Sequence, residues 1–214
     1  MSARNYRIKP PCINIRILQF LKKDMGSWAK SQFGREHIGE VGIVIAGTSR
    51  PDVEKEMLAL FDEVLSSKDS VYHCHLVRKG KKTYPLVLNV YGAPAMVDVL
   101  AEMHDGGCRT VVFVGYAYGG FKNLEIGSLV VAERSYHFDG LYHAIKIDRE
   151  AAFPDKALEQ KIKDVLEKEK MPYTRGINIS VPAVTFQLPH NNQTYLDIKP
   201  DTVEMELAAC FSRA

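Results

Sequence analysis

The sequence predicts an α/β fold, a three-layer sandwich with a mixed, largely parallel central sheet. Three observations predict it. Val41 to Ala46 (VGIVIA) and Thr110 to Gly115 (TVVFVG) are unbroken apolar runs, the pattern of strands buried on both faces. Between them Gly92-Ala93-Pro94-Ala95 opens a helix running to about His104, with Met96, Val97, Val99, Leu100 and Met103 apolar. With the strand Pro85 to Val90 before this helix and Thr110 after it, the order strand, helix, strand is a crossover, right-handed if the strands are parallel. Finally, both runs stop at small residues, Gly47 in one case and Gly115, Gly119 and Gly120 in the other. Open α/β sheets hold their ligands at the carboxyl ends of strands, and Thr110 to Gly120 is read as the central one.

The elements follow in order. Residues 1–40 form an N-terminal arm whose element types stay open: Ile13, Ile15 and Ile17 alternate like a strand, whereas Ile17, Leu18, Leu21, Met25 and Trp28 fit a helical stripe. Residues 41–214 form one domain. After VGIVIA, Gly47-Thr48-Ser49-Arg50-Pro51 leads into a helix with Asp52 and Glu54 in its first turn and Met57, Leu58, Leu60, Phe61 and Leu65 as its core stripe. A glycine turn, a helix N-terminus and Arg50 together make a possible anion cradle, and an ordinary strand-to-helix turn has the same pattern. Val71 to Val77 and Pro85 to Val90 flank a hairpin turn at Lys79 to Lys81. His73 and His75 share one strand face, but no third metal ligand is suggested nearby, so no metal is expected. Ile126 to Val131 reads as a strand, Pro154 to Lys170 as an amphipathic helix and Thr174 to Val184 as a strand. Phe186 to Pro200 reads as an irregular loop and Val203 to Arg213 as a final helix.

Composition excludes several classes. A chain of 214 residues, 46% hydrophobic, buries a full core. Its 28 basic and 26 acidic residues are interspersed for a formal charge of +2, which gives no field for nucleic acid or an anionic membrane. No apolar run approaches the ~20 residues that span a bilayer, and MSARNYRIKPP lacks the apolar core of a signal peptide, so a cytoplasmic location is expected. Cys12, Cys74, Cys108 and Cys210 lack metal or redox-pair spacing and are expected to be reduced, structural thiols.

Three separated stretches match one pattern in order: strand-GTSR, VVFVGYAYGG and TVEMELAAC. With LEIGSLVVAERSYHFDG and AVTFQLPHNNQTYLD, they make the chain resemble the nucleoside phosphorylase family, most of all its uridine phosphorylases, over roughly 41–214. The resemblance implies cleavage of an N-glycosidic bond, with phosphate or water attacking the ribose anomeric carbon. Phosphorolysis of a nucleoside, of pyrimidine type by the resemblance, would give the base and ribose 1-phosphate. The alternatives are a phosphate-independent nucleosidase and a non-catalytic nucleoside-binding homologue. The transition state is of oxocarbenium type, so the site must grip the ribose, place a nucleophile and relieve charge on the departing base.

By the resemblance, Glu206 holds the ribose hydroxyls, Met205 packs on the sugar and Glu204 is a second carboxylate on the same loop. The same acids would also suit a helix N-terminus with no substrate role. Gly47, Arg50 and the loop Gly115, Tyr116, Ala117 would hold phosphate, while Phe186 and Gln193 would contact the base. The chain departs from the family pattern where Phe113 replaces the phosphate-clamping arginine, and where Tyr195 replaces the arginine of the base loop. No cofactor is implied, because phosphate enters as a co-substrate. A homo-oligomer, dimer or hexamer, is expected. Family members continue through another strand and a long helix beyond this motif, so a missing C-terminal segment is expected from the exposed stripe that Leu207, Ala208 and Phe211 would otherwise leave.

Overall fold

A computed structural model of the chain describes residues 27–47, 50–121, 124–144, 150–187 and 197–213. The first helix, α1 (Trp28–Phe33), is capped by the Ser27 hydroxyl and ends at Gly34 in the left-handed region. Strand β1 (Val41–Ala46) leads through Gly47 to α2 (Pro51–Leu58), with Arg50 at its N-cap and proline in the first turn. Three strands follow, β2 (Glu63–Asp69), β3 (His73–Lys79) and β4 (Lys82–Val90). Then come α3 (Ala93–Asp105), β5 (Thr110–Gly115) and β6 (Tyr118–Gly119). The second half holds β7 (Val130–His137), α4 (Leu141–Ala144), β8 (Ala151–Ala152), α5 (Lys156–Lys168) and β9 (Thr174–Ser180). It closes with a 3₁₀ turn (Val184–Phe186), β10 (Thr202–Glu204) and α6 (Leu207–Arg213).

The described strands form two five-stranded sheets, ordered β2-β3-β4-β1-β5 and β6-β10-β9-β7-β8. Strand alternation gives the first sheet two apolar faces. Val44, Ala46, Cys74, Leu76 and Val87 pack with α1 and α3, whereas Ile43, Ile45, Val77, Leu86 and Leu88 pack with Met57 and Leu58 of α2. Helices therefore cover both faces. Beside the second sheet, α6 packs against α3, β7, β8 and β9. Its far end is fixed where His137 Nε2 meets the Ser212 hydroxyl at 2.8 Å.

The α/β class and the crossover from β4 through α3 to β5 agree with the sequence reading, and β1 lies between those two strands, parallel to both. The largely parallel single sheet does not. Four pairings are parallel. Four others are antiparallel, because hairpins and short edge strands need no crossover. Strand β5 is not central: it lies at the edge of its sheet, half-buried, while β1 and β4 are interior.

Further differences are local. The helix expected through Leu65 ends at Leu58, since residues 63–69 pair with β3, and this leaves Leu60 exposed. The strand expected at Ile126 starts instead at Val130, after a turn in which Gly127 has a φ of 91°. It then continues through polar residues to His137 because β9 pairs along it. The strand expected from Thr174 to Val184 stops at Ser180. The final helix divides into β10 and α6 at the acidic motif. Leu207 and Ala208 are buried, and Phe211 is partly buried, so α6 does not present the expected exposed stripe. Of the arm, the readings at Ile13 to Met25 lie outside the described residues. No helix among the described residues is long and apolar enough to cross a membrane.

Candidate functional site

The acidic motif sits where β10 gives way to α6, and its two carboxylates are buried, Glu204 4% exposed and Glu206 5%. Glu206 reaches across to the start of α3. Its Oε1 accepts the Gly92 amide at 2.5 Å and its Oε2 accepts the Met205 amide at 3.2 Å. Gly92 stands before α3 with φ 85°, a conformation suited to glycine, and the Glu206 carboxylate satisfies its amide, which has no partner within the helix. Met205 Cε lies 4.0 Å from where a Gly92 side chain would begin.

Glu204 faces the second sheet. Its Oε1 accepts from Asn178 Nδ2 at 2.7 Å and from the Ser180 hydroxyl at 2.5 Å. Its Oε2 accepts the amides of Glu206 at 2.5 Å and Leu207 at 2.6 Å. Each oxygen thus receives two protein donors, and the carboxylate caps α6 while binding it to β9. Burial first, and then the nearby Glu206 charge, pushes Glu204 above the ordinary glutamate range, against the pull of its donors. Burial also raises Glu206, and the amides of Gly92 and Met205 oppose it.

The residues expected at the phosphate are close to one another. A side chain on Gly47 would meet the Tyr116 ring at 3.3 Å, and the Arg50 guanidinium lies within electrostatic reach of Tyr116. Register joins this cluster to the carboxylates: Ala46 pairs with Gly115, and the Gly47 amide donates to Val90 O at 2.9 Å, two residues before Gly92. A bulge at Asn89, φ 62°, turns the end of β4 toward that contact. The cradle expected at Gly47 is altered, since its amide is already used. Arg50 is exposed and paired bidentately with Asp52. Gly115, Tyr116 and Ala117 line an exposed turn, and the Phe113 ring lies 2.8 Å from where a Gly115 side chain would start.

Phe186 is 57% exposed at the 3₁₀ turn, while Gln193 lies outside the described residues. Beside Phe186, Gln187 is buried, and its Oε1 has no hydrogen-bond partner among the described residues. Sequence reasoning missed Gln187, Gly92, Asn178 and Ser180. The last two were readable, because polar residues two apart inside the apolar strand TRGINIS must share one face. Cys74, Cys108 and Cys210 are buried free thiols, raised by burial to about 12, 11 and 12 respectively.

Residues 43–214 match the family profile described as the phosphorylase superfamily. No curated protein matches the chain in a sequence search. Among solved structures, uridine phosphorylase from Vibrio fischeri ES114 is similar, with 24% identity over 84% of this chain and 73% of that one and a TM-score of 0.67. Purine nucleoside phosphorylase from Toxoplasma gondii, solved with immucillin-H, has 16% identity, coverage of 84% and 74%, and a TM-score of 0.70. A mutant futalosine hydrolase of Helicobacter pylori strain 26695 has 19% identity, coverage of 82% and 83%, and a TM-score of 0.67. These likenesses extend to the fold.

Proposed function

The chain belongs to the phosphorylase superfamily, and from that premise we propose that it cleaves the N-glycosidic bond of a nucleoside, with phosphate as the nucleophile. Base and ribose 1-phosphate are the products, and the base is a pyrimidine. The observation that carries the reading is Glu206, a buried carboxylate fixed by two backbone amides at the carboxyl end of the first sheet. Each of its oxygens accepts one backbone amide and keeps capacity for a ribose hydroxyl. Hydrogen bonds to a charged acceptor fix the ring and strengthen as the sugar gains positive charge.

Glu204 acts through Glu206. Its four hydrogen bonds go to protein donors, two of them the amides of Glu206 and Leu207, so it positions the loop. Met205 packs against the sugar. Phosphate lies near Arg50, Gly47 and the turn of Gly115, Tyr116 and Ala117, and Arg50 exchanges Asp52 for the anion. Phe186 stacks on the base, with Gln193 on its edge. The attacking phosphate oxygen bonds to the anomeric carbon, the bonding pair of the glycosidic bond leaves with the base, and the base then takes a proton. No cofactor takes part in this reaction, and the working unit is a homo-oligomer.

Hydrolysis is the second reading, favoured by Phe113 in place of an arginine and by the pairing of Arg50 with Asp52. An Arg50→Ala variant separates the two. Under phosphorolysis it raises KM for phosphate at least about tenfold, the worth of one charge-assisted contact. Base release that is indifferent to both phosphate and Arg50 supports hydrolysis.

A further inference from the structure

On the face of the first sheet covered by α2, four side chains converge that the reaction does not use, Glu54, Asp69, His73 and His75. Strand register places Asp69 opposite His73, and Ser67 opposite His75, on neighbouring β2 and β3. Helix α2 lays Glu54 over both histidines: Oε2 lies 2.8 Å from His73 Nδ1, and Oε1 lies 3.0 Å from His75 Nε2. One ligand atom each from Glu54, Asp69 and His73 falls within 4.8 Å of the others. The sequence had suggested no third ligand beside the two histidines, because Glu54 and Asp69 arrive from separate elements.

His75 is the independent sign of a ligand. It is 3% exposed, its Nδ1 is 2.8 Å from the Ser67 hydroxyl, and its Nε2 is aimed into the cluster without a hydrogen bond of good geometry among the described residues. With Nδ1–H donated to Ser67 Oγ, the Nε2 lone pair faces Glu54 Oε1 at 3.0 Å, two acceptors that a cation bound between them would satisfy. Metal-bound histidines have this arrangement, the second nitrogen fixing the tautomer. A cleft of about 330 Å³ lined by Pro51, Glu54, Lys55, Leu58, Asp69 and His73 gives entry from solvent.

We propose that Glu54, Asp69, His73 and His75 form a binding site for a divalent transition metal of the zinc class. Two imidazoles with two carboxylates favour such an ion over magnesium or calcium, which take oxygen ligands. Four protein ligands make a closed, structural site. Zinc bonds of about 2.0–2.2 Å require ligand atoms roughly 3.3 Å apart, so on binding the Glu54 contacts open by a few tenths of an ångström while Asp69 and His75, the latter outside the 4.8 Å group, draw in. The ion clamps α2 to the β2–β3 hairpin. Arg50 immediately precedes α2, so the clamp also steadies the start of the proposed phosphate loop.

The test is titration of metal-free protein carrying no polyhistidine tag with Zn²⁺ by calorimetry, and with Co²⁺ by visible absorption. One zinc per chain is expected, with the intense d–d bands of four-coordinate cobalt and a rise in Tm. Asp69→Asn and His73→Gln, both at the accessible rim, weaken binding at least about tenfold each and abolish the Tm rise. His104→Gln, on exposed α3 surface, leaves all three readouts unchanged. No saturable binding at one ion per chain, or full binding by both rim variants, overturns the proposal. Base release is not a readout of this experiment, so the site stands or falls apart from the proposed reaction.

Discussion

Glu206 accepts the amide proton of Gly92 at 2.5 Å, across 114 positions of the chain. The contact joins the acidic motif to the start of α3 and places a carboxylate at the carboxyl end of the parallel strands. A ribose held there would compete with neither backbone amide. Replacing this carboxylate by an amide keeps the shape and loses the charge. Glu206→Gln is expected to lower kcat/KM for base release about 10- to 100-fold, the range of a lost hydrogen bond to a charged group. Steady-state kinetics would check this, and unchanged kcat/KM would remove Glu206 from the ribose site.

Glu204 has a different task and gives a different outcome. A glutamine at that position must turn its NH₂ group toward one of two donor pairs, either Asn178 and Ser180 or the amides of Glu206 and Leu207. Buried donors left facing a donor cost about 2–3 kcal/mol. Glu204→Gln is therefore expected to lower Tm by roughly 5–10 °C for a chain of this size. Urea and thermal unfolding measure it. A variant as stable as the parent would show that the cap and the link to β9 do not contribute.

The buried acids also set a pH dependence of stability. Both Glu204 and Glu206 are raised, chiefly by burial, so the folded chain retains a proton that the unfolded chain releases. Stability from that proton is complete below the ordinary glutamate range and is lost as pH rises through the elevated folded values. Unfolding free energy should therefore fall between about pH 5 and pH 8, with a shallower fall in Glu206→Gln. Binding of ribose hydroxyls needs the ionised acceptor, so KM for nucleoside should fall over the same interval. Urea melts and KM measured at both ends follow the two trends, and stability that rises across the interval would contradict the assigned direction.

Thiol chemistry tests the packing of the core. The sequence holds four cysteines, and Cys74, Cys108 and Cys210 are buried with thiols raised to about 12, 11 and 12. Thiolate is the reactive form, so these three should resist a maleimide or disulfide reagent until the chain unfolds. Counting labels by intact mass before and after denaturation checks this. More than one fast label on the native chain would contradict the burial.

The crossover from β4 through α3 to β5 was legible because each piece has a strong local pattern: apolar strand runs, a Gly-Ala-Pro helix start, and a helix with a clean apolar face. Strand β2 was not, since EVLSSKD is polar and forms by pairing with β3 at a sheet edge. The second sheet was hidden for a related reason. Its β6 and β8 are two residues each and β10 is three, too short to show a period. At the site, the acidic motif marked the two carboxylates that the fold buries, and Gly47, Arg50 and Tyr116 do come together. The roles of Gly92 and of the pair Asn178 and Ser180 depend on contacts between distant segments, which no local pattern carries. The same holds for Glu54 over His73 and His75, where the two histidines were visible and their partners were not.

The most direct test of the central claim is base release from uridine, inosine and methylthioadenosine, each with and without phosphate, by the parent chain and Glu206→Gln. The account predicts release from uridine that requires phosphate, yields ribose 1-phosphate and drops sharply in the variant. Release without phosphate would replace phosphorolysis by hydrolysis at the same carboxylate. No release from any of the three nucleosides, or full activity in Glu206→Gln, would contradict the proposed site itself.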